Sequence, residues 1–266
     1  MYSTLTTLID RLESPQAEEA DVIGWGAPVP AFGNPFSSKV ATVGLNPSNR
    51  EFVDESGEEL DGNFRRFHTL SSLGIKSWSD ADARHLESII LRCCMYFYGN
   101  PYDIWFRKLD KVISGAKKSF YQHDGGACHL DLIPYATARK WTALTPNQRT
   151  MLSEAAGNSL GMLIGTSSIR MLILNGKTVV REFQSSAKVQ LQEQEMENWS
   201  LPRKSGKNVA GYSYVGLADR LFDVELPRTI LILGYNHNLQ SSFGVTNDVI
   251  SEIRNWIAEK YAAFAT

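Results

Sequence analysis

Four short apolar runs set the pattern of this chain, and each stops at turn-forming residues. Residues 39–43 run into Gly44-Leu45-Asn46-Pro47-Ser48, residues 127–133 stop at Pro134, residues 170–175 at Gly176, and residues 229–233 at the polar stretch 234–240. Short continuous apolar runs bounded in this way read as buried strands. The intervening patterns predict helices over 4–12, 80–98, 102–113, 146–164 and 247–264, with Thr145 and Thr246 as N-caps. Strands alternating with helices predict an α/β fold: three layers, α/β/α, around a central four-stranded, mainly parallel sheet. An open sheet of this kind binds its ligands at the carboxyl ends of its strands, so the four polar turns mark the edge where function is expected.

Two stretches depart from the pattern. Residues 24–35 carry Gly24, Gly26, Pro28, Pro30, Gly33 and Pro35, which neither a helix nor a strand tolerates, and read as an irregular loop leading into the first strand. Residues 183–226 are polar, contain Trp199, Pro202 and Gly206, and alternate over 211–215. They read as an insertion with a hairpin or long loop inside one domain spanning 1–266.

A chain of 266 residues with 43% apolar content can bury a substantial core as one large domain. Its net charge of −2 and pI near 6.2 argue against a generally basic nucleic-acid coat, while leaving room for a local positive groove. Cys93, Cys94 and Cys128 are too few and too badly spaced for a zinc site, and the adjacent pair cannot readily form a relaxed disulfide, so reduced core thiols are expected. His68, His85, His123 and His129 lack metal-binding spacing, and no phosphate-cradling glycine loop is present, so neither a metal nor a nucleotide cofactor is expected. The first residues lack a basic segment followed by a long apolar run, and no apolar stretch is long enough to span a bilayer. A cytoplasmic monomer without membrane contact is the corresponding expectation.

Gly44-Leu45-Asn46-Pro47-Ser48 resembles the Gly-x-Asn-Pro-Gly first motif of the uracil-DNA glycosylase superfamily, in its mismatch-specific and single-strand-selective branches. The strand carrying Asp131 sits where that family has its base-reading strand, and 234–240 where it has its second catalytic loop; the likeness spans about 39–260. The resemblance implies DNA as partner and a monofunctional glycosylase that flips a base, using Gly44 and Leu45 in its pocket. Hydrolysis of the N-glycosidic bond needs a water placed behind the anomeric carbon and stabilisation of the leaving base. By the resemblance Asn46 orients that water and His237 meets the leaving base, with Asn236 and Asn238 as alternatives. Leu239 resembles the wedge leucine that fills the vacated stack, beside Gln240 and Ser48 as DNA contacts. No lysine falls at the first or last motif, so water rather than an amine is the expected nucleophile.

Asp131 stands where the uracil enzymes have an amide. An ionised carboxylate accepts hydrogen bonds and cannot donate them, so it suits the amino group of cytosine and opposes O4 of uracil. The alternative is a structural Asp131, paired with an arginine or capping the turn at Pro134. Bacterial defence glycosylases that remove glucosylated 5-hydroxymethylcytosine from phage DNA are among the divergent members the chain resembles, and loops 24–35 and 183–226 are expected to enclose the extra substituent. A repair glycosylase for uracil or damaged bases, or a non-catalytic nucleic-acid-binding member, are the alternatives. Arg65 and Arg66 are candidates for phosphates and Phe67 for stacking on the base, against a plain solvated face; Arg139 and Lys140, just beyond the base-reading strand, are candidates for the DNA backbone. The basic stretch 203–207 reads as a solvated loop or a further DNA contact.

Overall fold

The apolar runs become strands buried on both faces. Val40–Gly44 (β1), Ala127–Asp131 (β2) and Met171–Asn175 (β3) are enclosed along nearly their whole lengths. The chain then adds Gln192–Leu201 (β4), Val209–Leu221 (β5) and Val224–Tyr235 (β6), the last buried through its second half. In this computed structural model they form one six-stranded sheet in the order β2-β1-β3-β6-β5-β4. The first four in that order are parallel, and β6, β5 and β4 continue as an antiparallel meander. The structure describes residues 1–99, 103–122, 126–203, 206, 208–240 and 244–265.

The sheet therefore has six strands where four were expected. The difference is the 183–226 stretch, whose hairpin β4-β5 hydrogen-bonds to β6 and widens the sheet instead of standing apart from it. Of the basic stretch 203–207, Lys204, Ser205 and Lys207 lie outside the described residues, as does His123.

The helices are Tyr2–Leu12 (α1), Pro15–Glu19 (α2), Leu70–Leu73 (α3), Ala83–Cys94 (α4), Asp103–Ile113 (α5), Pro146–Ala156 (α6), Ser159–Thr166 (α7), Lys177–Ala187 (α8) and Asn247–Ala265 (α9). Strands buried at successive positions need cover on both sides of the sheet, and the helices supply it. α5 and α9 pack together, α7 packs on β6, and α8, which links β3 to β4, packs on β3 and β6. Tyr102, the first residue of an expected helix, lies outside the described residues. Thr145 caps α6 in a reciprocal box with Gln148, and Thr246 Oγ1 accepts from Val249 N at 3.2 Å.

The single helix expected over 146–164 is two. Gly157 breaks it at φ +54°, and the guanidinium of Arg11 reaches the carbonyls of Ala155 and Ala156 at the end of α6. Satisfying those orphan carbonyls from outside lets the chain turn. The 24–35 loop has no helix or strand but is largely buried. It runs along the outer edge of β2, where Phe32 and His129 exchange backbone hydrogen bonds of 2.8 and 2.9 Å. Cys93 and Cys128 are buried free thiols and Cys94 a half-buried one; burial pushes Cys128 up to about 12. No described helix is long and apolar enough to cross a membrane.

Candidate active site

A cavity of about 310 Å³ opens at the carboxyl ends of β1, β2 and β3, with Asn238 from the loop after β6 on its wall. The volume is at the lower end of the range for small-molecule sites. Its position follows from the topology: β2 and β3 lie on opposite sides of β1, so the strand order reverses there and the connections diverge to leave a crevice.

Asn46 enters from the turn after β1. Its Nδ2 donates to Thr137 Oγ1 at 3.0 Å, to Pro47 O at 3.2 Å and to Tyr135 O at 3.4 Å. Carbonyls only accept, and Thr137 spends its own proton on Arg139 O at 2.7 Å, so all three partners require the nitrogen there. The amide is thus fixed in one orientation. Among the described residues no hydrogen bond reaches Asn46 Oδ1, which leaves a positioned acceptor on a residue of the cavity wall.

Asp131 ends β2 directly beside Gly44 of β1, and His129 lies beside Thr42 one pleat earlier. Asp131 is buried, with Oδ1 3.4 Å from His129 Nε2, while His129 Nδ1 is 2.7 Å from Thr42 Oγ1. A Thr42 hydroxyl donating to Nδ1 leaves Nε2–H for the carboxylate. Phe32, Trp105 and Phe106 surround the imidazole with ring centroids 5.3–5.5 Å away. Gly44 is required by this packing: a Cβ there would collide with Asp131 Oδ1 and lie 3.0 Å from His129 Nε2. Asp131 makes no ion pair with an arginine among the described residues.

Glu51, in the 3-10 turn of Asn49–Glu51, is a second buried carboxyl on the cavity wall. Its Oε2 accepts from the Tyr96 hydroxyl at 3.1 Å and lies 3.8 Å from Arg66 Nη1. Burial raises it to about 7, against the pull of Arg66 and Tyr96.

The loop after β6 differs most from expectation. His237 is buried away from the cavity and donates from Nε2 to Trp199 O at 2.7 Å; burial holds its imidazole below the usual value. Asn236 is used at both ends by β5, its Oδ1 accepting from Tyr212 N and its Nδ2 donating to Ala210 O, both at 2.8 Å. Leu239 is also buried, so it projects into the core and not towards solvent. Asn238 alone of these lines the cavity. The loop is held by Asn175, whose Nδ2 donates to Gln240 Oε1 at 2.8 Å, while Gln240 Nε2 reaches Trp105 O at 3.3 Å and Lys108 Nζ donates to Leu239 O at 3.2 Å. Gly176 makes the approach possible: it has φ +100°, and a Cβ would stand 3.1 Å from that of Asn238.

The remaining candidates divide between the cavity and the core. Leu45 and Ser48 line the cavity, and the Ser48 hydroxyl accepts from Arg50 N at 3.2 Å. Arg139 and Lys140 are exposed on its rim, Arg139 also contacting Asp21 Oδ2 at 3.2 Å. Phe67 is not on the wall: it is buried against Phe32 and stacked on Tyr96 at 5.2 Å. Arg65 and Arg66 sit with Arg92 around a separate small cleft behind Glu51, and Arg66 also donates to Arg50 O at 2.8 Å. His68 bridges Ser72 and Ser88, each at 3.0 Å, and burial with Arg92 lowers it to about 4. Of the loops expected to enclose a base substituent, 24–35 contributes Phe32, and among the described residues 183–226 contributes nothing to the wall. Glu51, His129, Asn175, Trp105 and Phe106 are cavity residues that sequence reasoning did not single out as site residues. Only Glu51 left a signal, as a carboxylate four residues beyond Pro47. Among the described residues no three metal-ligating side chains are grouped.

No protein-family model matches the chain, and no curated protein matches it significantly.

Proposed function

We propose that the protein is a monofunctional DNA glycosylase that takes a flipped, modified cytosine-type base into this cavity and hydrolyses its N-glycosidic bond. The observation carrying the reading is the pairing, in one cavity, of a fixed Asn46 amide whose carbonyl oxygen is unclaimed with a buried Asp131 acceptor. The first group suits a water that attacks the anomeric carbon, the second an exocyclic amino group of the base. His129 orients Asp131, and Trp105 and Phe106 offer aromatic surface to the base. Arg139 and Lys140 on the rim are the cations for the DNA backbone.

The wedge moves to a new residue in this reading. Leu239 is enclosed, whereas Ile104 is 85% exposed on the first turn of α5, next to Trp105 of the cavity wall and beside the 238–240 loop. An isoleucine this exposed, one residue before Trp105 of the wall, is the candidate to fill the gap that a flipped nucleotide leaves. The withdrawal of His237, Asn236 and Leu239 from the cavity favours a second reading, a nucleic-acid-binding member of the fold without catalysis.

Release of free base separates the two. DNA carrying glucosylated 5-hydroxymethylcytosine, 5-hydroxymethylcytosine, cytosine or uracil is incubated with the protein, and free base and abasic sites are measured. Asn46→Ala is expected to slow release by roughly 10²-fold with little change in DNA binding, and Asp131→Asn to shift preference towards uracil. Binding with no base released from any of these DNAs establishes the second reading, and a borohydride-trapped protein-DNA adduct overturns water as nucleophile.

A further inference from the structure

Glu51 is the second carboxyl of the cavity, and neither water positioning nor the Asp131 contact uses it. It is 4% exposed and is held from one side only, Oε2 being engaged by Tyr96 and Arg66. Among the described residues no hydrogen bond reaches Oε1. The residue lies on the wall of the space a base would occupy, together with Asn46 and Asp131.

A cytosine-type base needs what this group can give. Departing as an anion it has one ring carbonyl to hold the charge where uracil has two, so a proton delivered as the bond breaks lowers the barrier. Resting on the glycosylase reading, we propose that Glu51 is the general acid of the reaction, passing a proton from Oε1 to the N3/O2 edge of the departing base. The electron pair of the C1′–N1 bond moves onto the base, the Glu51 proton makes the base neutral, and the sugar is left as an oxocarbenium ion. Water held by Asn46 adds its oxygen to C1′ and releases a proton, which returns through solvent to the Glu51 carboxylate. One water is consumed, its hydroxyl on the sugar and its hydrogen on the base.

The groups facing Glu51 are Arg66 from the segment before α3, Tyr96 from the turn after α4 and Asp131 from β2, with His129 beyond Asp131. Arg66 and Tyr96 favour the carboxylate, whereas burial and Asp131 favour the acid, and the balance lies at about 7. A proton is therefore available at neutral pH and is lost above it.

The test is the pH dependence of single-turnover base release from the DNAs named above. Wild-type release is expected to fall along an alkaline limb centred near 7. Glu51→Gln keeps an acceptor for Tyr96 but has no proton to transfer, so release at pH 6 should drop roughly 10²-fold or more and the limb should disappear. Tyr96→Phe removes a hydrogen bond that favours the carboxylate and should move the limb to higher pH, which gives a reading even if the first variant fails to fold. A folded Glu51→Gln that keeps the wild-type rate and limb, or a limb unmoved in Tyr96→Phe, overturns the proton donor while leaving an active glycosylase. A wild type that releases no base from any DNA overturns the glycosylase reading and the proton transfer together.

Discussion

Replacing Gly44 by alanine tests the cavity at its tightest point. The new methyl group would collide with Asp131 Oδ1 and stand 3.0 and 3.1 Å from His129 Nε2 and Cε1. Both neighbours are buried, and His129 is caged by Phe32, Trp105 and Phe106, so the imidazole has little room to yield. The carboxylate must instead retreat by roughly 1 Å to reach ordinary contact. Overpacking of this kind costs about 1–3 kcal/mol of stability, and a 1 Å misplacement at the reacting centre costs on the order of 10²-fold in rate. The tightest contact is with the carboxylate, so removing Asp131 should relieve most of the clash and leave only the His129 contacts. In a double-mutant cycle, Gly44→Ala should destabilise wild type by that amount and the Asp131→Ala variant by much less, a coupling of about 1 kcal/mol or more. Urea denaturation at fixed pH measures the stability arm, and single-turnover base release measures the rate arm. Additive destabilisation, or a Gly44→Ala protein that releases base at the wild-type rate, would refute the argument that Asp131 is held in place by the bare backbone of β1.

Three further outcomes follow from exposure and burial. Ile104→Ala should reduce base release from duplex DNA while sparing single-stranded DNA, which has no stack to fill; Leu239→Ala should instead lower stability by about 2–5 kcal/mol as a cavity-forming core change, measured by thermal unfolding. Glu51 has a folded value raised to about 7, above its ordinary range near 4.5, so the folded state holds the proton more tightly. The stability it contributes is complete below about 4.5 and is lost as pH rises through 7; denaturation midpoints should show Glu51→Gln gaining on wild type across that window, and a constant difference would contradict the assignment.

The parallel half of the sheet was legible because burial on both faces forces unbroken apolar runs, and the turns after β1 and β2 then located Asn46 and Asp131. β4 left no such trace: Gln192–Glu195 are exposed on both faces of an edge strand, so nothing in the sequence alternates there. The break at Gly157 was hidden because a helical pattern continues across it. The neighbours of Asp131 were equally hidden, since His129 meets Thr42, and Gly44 meets Asp131, only through the parallel register of strands far apart in sequence. Within 234–240 the polar letters gave no sign of which side chains turn inward. His237 and Asn236 are claimed by the β4-β5 hairpin, which a four-stranded reading does not contain.

The hairpin also divides the molecule electrostatically. Glu193, Glu195 and Glu197 are exposed along β4, and Glu195 and Glu197 share a groove with Glu252 and Glu259 of α9. β4 lies four strand spacings from β1, about 19 Å at the usual interval. That is more than two screening lengths of about 8 Å in physiological salt, so these carboxylates leave a phosphate at the cavity mouth essentially undisturbed. At close range they repel a polyanion, so under the glycosylase reading the DNA is expected to approach from the Arg139–Lys140 side and not along the β4 edge. A chain of almost balanced net charge thereby acquires a preferred direction of approach.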